Sequence, residues 1–223
     1  MGCSSSNEAF MATSLTPQTN FPFDINKRFV QQRTTTLELT DNFWGKTGPE
    51  GYAVKDAFTG KVVFQVETSV DGVAPNAKTK WLTDAYKIPV AHLNDVWTYT
   101  TAYDLYAGKD EEHRLTQFEI QFIPMHRNPL KALHQSPESG VINGLGSHGL
   151  WRQRTVFLYL HDNQAGHSAR LAVAKIFRPA DTKGAQFGSA KYHVEIAPGV
   201  DAAFIVMACG AMDDALQKDI DKQ

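Results

Sequence analysis

The chain has 223 residues and a mass of 24.8 kDa, enough for one large domain or one domain and a tail. Hydrophobic residues make up 42% and charged residues 21%, with 22 Lys and Arg against 24 Asp and Glu. That balance lacks the basic excess of sequence-independent nucleic-acid binding and the acidic excess of a disordered tail, so no nucleic-acid partner is expected. The two cysteines, Cys3 and Cys209, do not make a disulfide framework.

The first residues read Met1-Gly2-Cys3-Ser4-Ser5-Ser6. There is no basic start and no apolar core before a cleavage site, so this is not a secretory signal. It matches the myristoylation pattern, with Gly2 as acyl acceptor after Met1 is removed, and Cys3 is a palmitoylation candidate beside it. A single myristoyl chain holds a membrane only marginally, so a second acyl group on Cys3 would complete the anchor. The bland alternative is a flexible N-terminus that happens to begin Met-Gly. Residues 7–26 are polar with Pro17 and Pro22, and read as a tether. Phe10, Phe21, Phe23 and Phe29 dot this stretch and its end; they could dock on the domain or dip into a headgroup layer.

Strand patterns follow. Leu37 and Leu39 alternate with polar residues over 35–40. Residues 52–55, the turn 56–60 and residues 61–67 form a β-hairpin. Residues 96–106 are rich in Thr, Tyr and Trp and read as one strand. Alternation recurs over 116–123 and 155–161, and 169–177 and 191–196 complete the set. Between 124 and 152 the pattern breaks at Pro124, Pro129 and Pro137 and at a Gly-rich run, which predicts a long loop with one helical turn near Pro129 to His134. After Pro198-Gly199, residues 202–212 are apolar on every face. Such a helix is buried in protein or lipid, and about 20 residues are needed to span a bilayer. It is therefore a core helix, with Ala203, Phe204, Ile205, Val206, Met207, Ala208 and Cys209 as its buried centre. Asp213 and Asp214 suit a helix terminus poorly, so the helix is expected to run a turn further. Many amphipathic strands and one buried helix predict a mainly β fold, a closed antiparallel barrel around a C-terminal helix.

Little in the chain reads as catalytic. Gly144-Leu145-Gly146-Ser147-His148-Gly149 matches G-x-G-x-x-G, but a strand pattern follows it where a dinucleotide site needs a helix. His126, His134, His148, His161 and His167 lack metal-ligand spacing, and Ser147, His148 and Asp162 lack a nucleophile elbow. No metal and no cofactor are expected. Basic residues do cluster locally, at Lys27, Arg28 and Arg33, at Lys78 and Lys80, and at Arg127, Lys131, Arg152 and Arg154. Lys27, Arg28, Arg127, Lys131, Arg152 and Arg154 are the candidate headgroup contacts; the alternative is a solvated, charge-balanced surface. Trp151 beside Arg152 reads as an interfacial pair.

Two stretches carry a family resemblance. One is Gly51-Tyr52-Ala53-Val54-Lys55-Asp56 leading through Gly60 to Val62-Val63-Phe64-Gln65-Val66. The other is Tyr192-His193-Val194-Glu195-Ile196-Ala197-Pro198-Gly199-Val200-Asp201 before the apolar helix. With them, residues 34–216 resemble the LURP-one-related group of the tubby C-terminal-like superfamily, which also holds the phospholipid scramblases. The resemblance implies about twelve strands around the helix, association with anionic phospholipid or phosphoinositide membranes, and no enzymatic chemistry. Two departures stand out: the 124–149 stretch looks like an insertion, and Asp181 alone does not make the calcium-binding segment of scramblases.

The expected organisation is a lipidated tether (1–26), a barrel domain (27–217) with a loop at 124–152, and a polar end (218–223). The expected function is that of a non-enzymatic lipid-binding or adaptor protein. It would be monomeric and held by acylation at the cytoplasmic face of a membrane, the plasma membrane foremost, with room for a protein partner. The alternatives are a scramblase-like lipid transporter and a soluble interaction module.

Overall fold

Alternating apolar and polar residues fold into twelve antiparallel strands that close on themselves. The computed structural model describes residues 9–41, 43–44, 52–67, 79–97, 101–121, 129–135, 140–162, 169–179 and 191–221. The strands are β1 (Thr35–Thr40), β2 (Tyr52–Asp56), β3 (Val62–Glu67), β4 (Thr79–Asp84), β5 (Pro89–Trp97), β6 (Thr101–Ala107), β7 (Arg114–Ile120), β8 (Leu130–Gln135), β9 (Ile142–Leu150), β10 (Thr155–Asp162), β11 (Ala169–Phe177) and β12 (Lys191–Ile196). Each pairs with its successor. β12 then pairs with β1, from Thr35 opposite Ile196 to Thr40 opposite Lys191. Every second side chain points inward, so Leu37, Leu39, Phe64, Phe118, Val156 and Leu158 are buried.

The interior is filled by one helix, α1 (Ala202–Ile220). Residues 203–209 are each at most 1% exposed, Cys209 among them, and burial pushes the Cys209 thiol far above its ordinary range. The helix runs about two turns past Asp213, beyond the expected single turn and through the 217 boundary. Lys218 is inside the helix and tied down, its Nζ 2.8 Å from an Asp95 oxygen and 2.9 Å from Asp214.

Two other expectations change. Residues 96–106 are not one strand, because β5 ends at Trp97 and β6 starts at Thr101. The 124–152 stretch is not a long loop, because β8 and β9 are barrel strands within it, and β8 stands where a helical turn was expected at 129–134. The glycines that mimic a loop have a packing reason. Gly146 faces Tyr159 and Gly144 faces His161 across the β9–β10 ladder. A Cβ on Gly146 would stand 2.8 Å from the Tyr159 hydroxyl, so the ring lies where a side chain would be.

The N-terminal stretch also departs from a tether. Its described part is a strap bound to the barrel. Phe10 packs on Phe157 of the outer wall, with ring centroids 4.5 Å apart. Thr16 N–H donates to Ala172 O at 2.7 Å, and Gln18 N–H to Pro198 O at 2.8 Å. Phe21 and Phe23 are buried against Phe204 at the start of α1, with centroids 5.5 and 4.9 Å away. Asp201 joins strap to helix. Its Oδ1 caps α1 by accepting Ala203 N–H at 2.8 Å, and its Oδ2 accepts Ile25 N–H at 2.7 Å and Asn26 N–H at 2.9 Å. Gly199 is required there. It has φ +78°, and a Cβ would collide with Gln18 O.

Candidate functional site

In an up-and-down barrel alternate turns share an end. The turns after β2 and β4 therefore lie on the rim where α1 enters, beside the strap. Both are built alike, from Asp-Ala-aromatic. In Asp56-Ala57-Phe58, Asp56 Oδ1 accepts Phe58 N–H at 3.1 Å, Thr59 N–H at 2.7 Å and the Thr59 hydroxyl at 2.8 Å. Those Thr59 bonds hold the Asp56 carboxyl below its ordinary range. In Asp84-Ala85-Tyr86, Asp84 Oδ1 accepts Tyr86 N–H and Ile88 N–H, both at 2.9 Å. The carboxylates stiffen the turns, as Asx turns do. Phe58 and Tyr86 are each 85% exposed, and Ile88 is 51% exposed.

Basic residues stand near these tips, on a rim whose next turn, after β6, carries the exposed carboxylates Asp110, Glu111 and Glu112. Asn26 caps a single 3-10 turn, Lys27–Phe29, that seats on the rim. Phe29 packs on Phe64 at 4.9 Å, and Arg28 Nη2 reaches Asp84 Oδ2 at 3.0 Å. Thus Arg28, expected from charge alone, is fixed to the strand that leads into the Tyr86 turn, and Lys27 beside it is exposed. Lys61 follows the Phe58 turn, exposed. Lys87 follows Tyr86, with its ammonium 3.4 Å from Glu67. Lys87 has φ +63°, a conformation that favours glycine and costs a lysine about 1–2 kcal/mol. The aromatic tips were missed in the sequence; the doubled Asp-Ala-aromatic motif at the ends of β2 and β4 is the signal that marks them.

The opposite end, where α1 leaves, gathers Arg152, Arg154 and Arg178 around a groove of about 330 Å³. All three are paired within the chain, Arg154 in the interior and Arg152 in a surface pair, with its own side chain 55% exposed. Arg154 is 3% exposed, between the rings of Trp151 and Tyr192 at 4.5 and 4.4 Å. Its Nη2 donates to Asp213 Oδ1 at 2.6 Å and its Nε to Asp41 Oδ1 at 2.8 Å. Burial alone would lower its pKa, but Asp213, Tyr192 and Asp41 hold it above the ordinary value. Arg154 is therefore not placed to meet a headgroup, which corrects the sequence reading. Trp151 is corrected with it: it is 2% exposed, and its Nε1–H donates to Asp213 at 3.0 Å instead of lying at an interface. Arg178 pairs with Asp41 at 2.6 Å and Arg152 with Asp219 at 2.9 Å. Asp213 is raised by burial, against the pull of Arg154. Beside it Lys80 Nζ donates to Asp214 at 2.9 Å. Burial would raise Asp214, but Lys80 and Lys218 outweigh it and hold the carboxyl down.

The structure scatters the remaining candidates. Lys131 stands on the outer wall, on a groove of about 600 Å³ between β7 and β8 that His113, Arg114 and His134 also line. Ser147 Oγ is buried and accepts Leu130 N–H at 3.0 Å. Gly2, Cys3, Arg127, His126, His167, Lys78 and Asp181 lie outside the described residues. Among the described residues no three His, Cys, Asp or Glu side chains converge as a metal site would need. No described helix is long and apolar enough to cross a membrane.

A family model described as LURP-one-related matches residues 35–213. The fold is similar to a crystal structure of a protein from Arabidopsis thaliana. The two share 17% identity over 85% of this chain and 96% of that one, with a TM-score of 0.55. At that identity the likeness concerns the fold alone. No curated protein matches the chain.

Proposed function

The chain belongs to the LURP-one-related family, and from that premise we propose that it is a non-enzymatic, membrane-tethered adaptor that binds anionic phospholipid headgroups. The carrying observation is the Lys27–Phe29 turn locked onto the helix-entry rim, with Lys27, Lys61 and Lys87 exposed around it. Each Lys or Arg near an anionic leaflet contributes about 1 kcal/mol of attraction, so this rim can hold a phosphatidylserine or phosphoinositide surface once an anchor brings it close. Gly2 and Cys3 would be that anchor, placing the protein at the cytoplasmic face of the plasma membrane as a monomer free to recruit a protein partner.

A scramblase would need α1 in the bilayer. Its apolar half is walled in by the barrel and the strap, which favours the adaptor reading.

The test is flotation of the full, unacylated chain on vesicles of phosphatidylcholine with and without phosphatidylserine or phosphatidylinositol 4,5-bisphosphate. Binding to anionic vesicles that weakens in Lys27→Glu/Lys61→Glu supports the reading, and no binding to any composition sinks it. The anchor is tested by intact mass of protein from its native cell, against Gly2→Ala and Cys3→Ser variants. A bare N-terminus there would leave a soluble interaction module. Removing residues 1–26 is not a clean alternative, because it strips Phe21 and Phe23 from the core.

A further inference from the structure

Attraction between lysines and headgroups leaves Phe58 and Tyr86 unexplained. Single exposed apolar residues are ordinary. Here two aromatic rings, each 85% exposed, stand on adjoining hairpins of one rim, with Ile88 beside the second. The hairpins are joined by the β3–β4 ladder, so they lie two strand spacings apart across the sheet, about 10 Å. Each ring rides on a turn stiffened by its own aspartate, so little mobility is lost when the ring is buried in a partner phase. Each is followed closely by a lysine, Lys61 or Lys87. Lys87 adopts a backbone conformation that favours glycine, and such an outlier motivates a use for the side chain. Its pairing with Glu67, at 3.4 Å and with the lysine side chain 70% exposed, is the kind of surface pair that is readily given up.

Aromatic rings favour the headgroup level of a bilayer, and lysine stems lie along apolar surface while their ammonium groups reach phosphate. We propose that the helix-entry rim is a bilayer-inserting wedge. Phe58, Tyr86 and Ile88 enter the interfacial layer of an anionic membrane, while Lys27, Lys61 and Lys87 contact its phosphates. The inference rests on the headgroup reading above and adds to it the apolar half of the contact.

The experiment uses the full unacylated chain and vesicles of phosphatidylcholine and phosphatidylserine at 70:30, with bromine-labelled acyl chains. A Phe58→Trp variant reports insertion, read as its difference from wild type. The expected result is a blue-shifted emission quenched by bromines near the top of the chains. Phe58→Ala/Tyr86→Ala should lose about tenfold in partitioning at an unchanged melting temperature, and should keep that loss at high salt. Vesicle binding that depends on Lys27 and Lys61, with no quenching and no effect of the alanine pair, overturns the wedge and leaves the headgroup reading intact. Failure of every form to bind overturns both. Self-association of wild type that the alanine pair abolishes, without vesicle binding, assigns the rim to a contact between copies and equally overturns the wedge.

Discussion

Two residues show how a local backbone departure places a charge. Among the described residues the non-glycine positions with positive φ are Lys87 and Arg154, at +63° and +53°, and both are basic. At Lys87 the conformation sets a lysine on an exposed turn, with its ammonium 3.4 Å from Glu67. Lys87→Gly should therefore raise stability by about 1 kcal/mol while weakening binding to phosphatidylserine vesicles; urea unfolding and flotation on one sample would show the opposed changes. At Arg154 the same conformation turns the guanidinium inward to Asp213. Asp213→Ala leaves a buried cation short of a partner and strands Trp151 Nε1–H and the Tyr192 hydroxyl. A loss of about 3–5 kcal/mol is expected in chemical denaturation. The double variant Arg154→Met/Asp213→Leu should recover part of it, since no charge is then left unpaired while Trp151 Nε1–H and the Tyr192 hydroxyl still lack Asp213.

At the scale of elements, α1 depends on shape more than on propensity. Gly210 lies mid-helix, where alanine would gain up to about 1 kcal/mol. A Cβ there would stand 2.6 Å from the ring of Trp44, which is itself 1% exposed and has no room to retreat. Overpacking of this kind costs about 1–3 kcal/mol, so Gly210→Ala should lower the urea midpoint despite its better helix propensity. The buried helix and the alternating strands such as β1, β3 and β10 were legible in the sequence because their inward faces are plainly apolar. β8 and β9 were not. The glycines of β9 record rings on the neighbouring strand, Tyr159 and His161, β8 is a short strand that starts right after Pro129, and spacing along one segment does not show what stands across a ladder. The far end of α1 was misjudged for a related reason, since the charge of Asp213 is answered by Arg154, 59 residues away. At the site, Lys27 and Arg28 were readable as a basic cluster. That Arg154 is spent internally follows from partners distant in sequence, Asp41, Asp213 and Tyr192, while the pairing of Phe58 with Tyr86 on one rim follows from the strand order.

The whole molecule is closed at two seams, β1 with β12 and the strap with Asp201. The strap is thus part of the core, and a chain starting at residue 27 would lose Phe21 and Phe23, each worth about 3–5 kcal/mol if truncated to alanine. That sum rivals the total stability of an ordinary domain, so this truncation should show no cooperative thermal unfolding by near-ultraviolet circular dichroism. Both seams join an early-made part of this domain to a late-made one, because the capping aspartate, β12 and α1 follow the other strands in the chain. Contacts so distant in sequence form slowly, and here the partners do not exist until the rest of the barrel has been made. The apolar inner faces of successive hairpins leave the ribosome with nothing to cover them. Nascent chains should accordingly depend on chaperone shelter, and a transcript that stops short of α1 should yield an insoluble product instead of a smaller barrel.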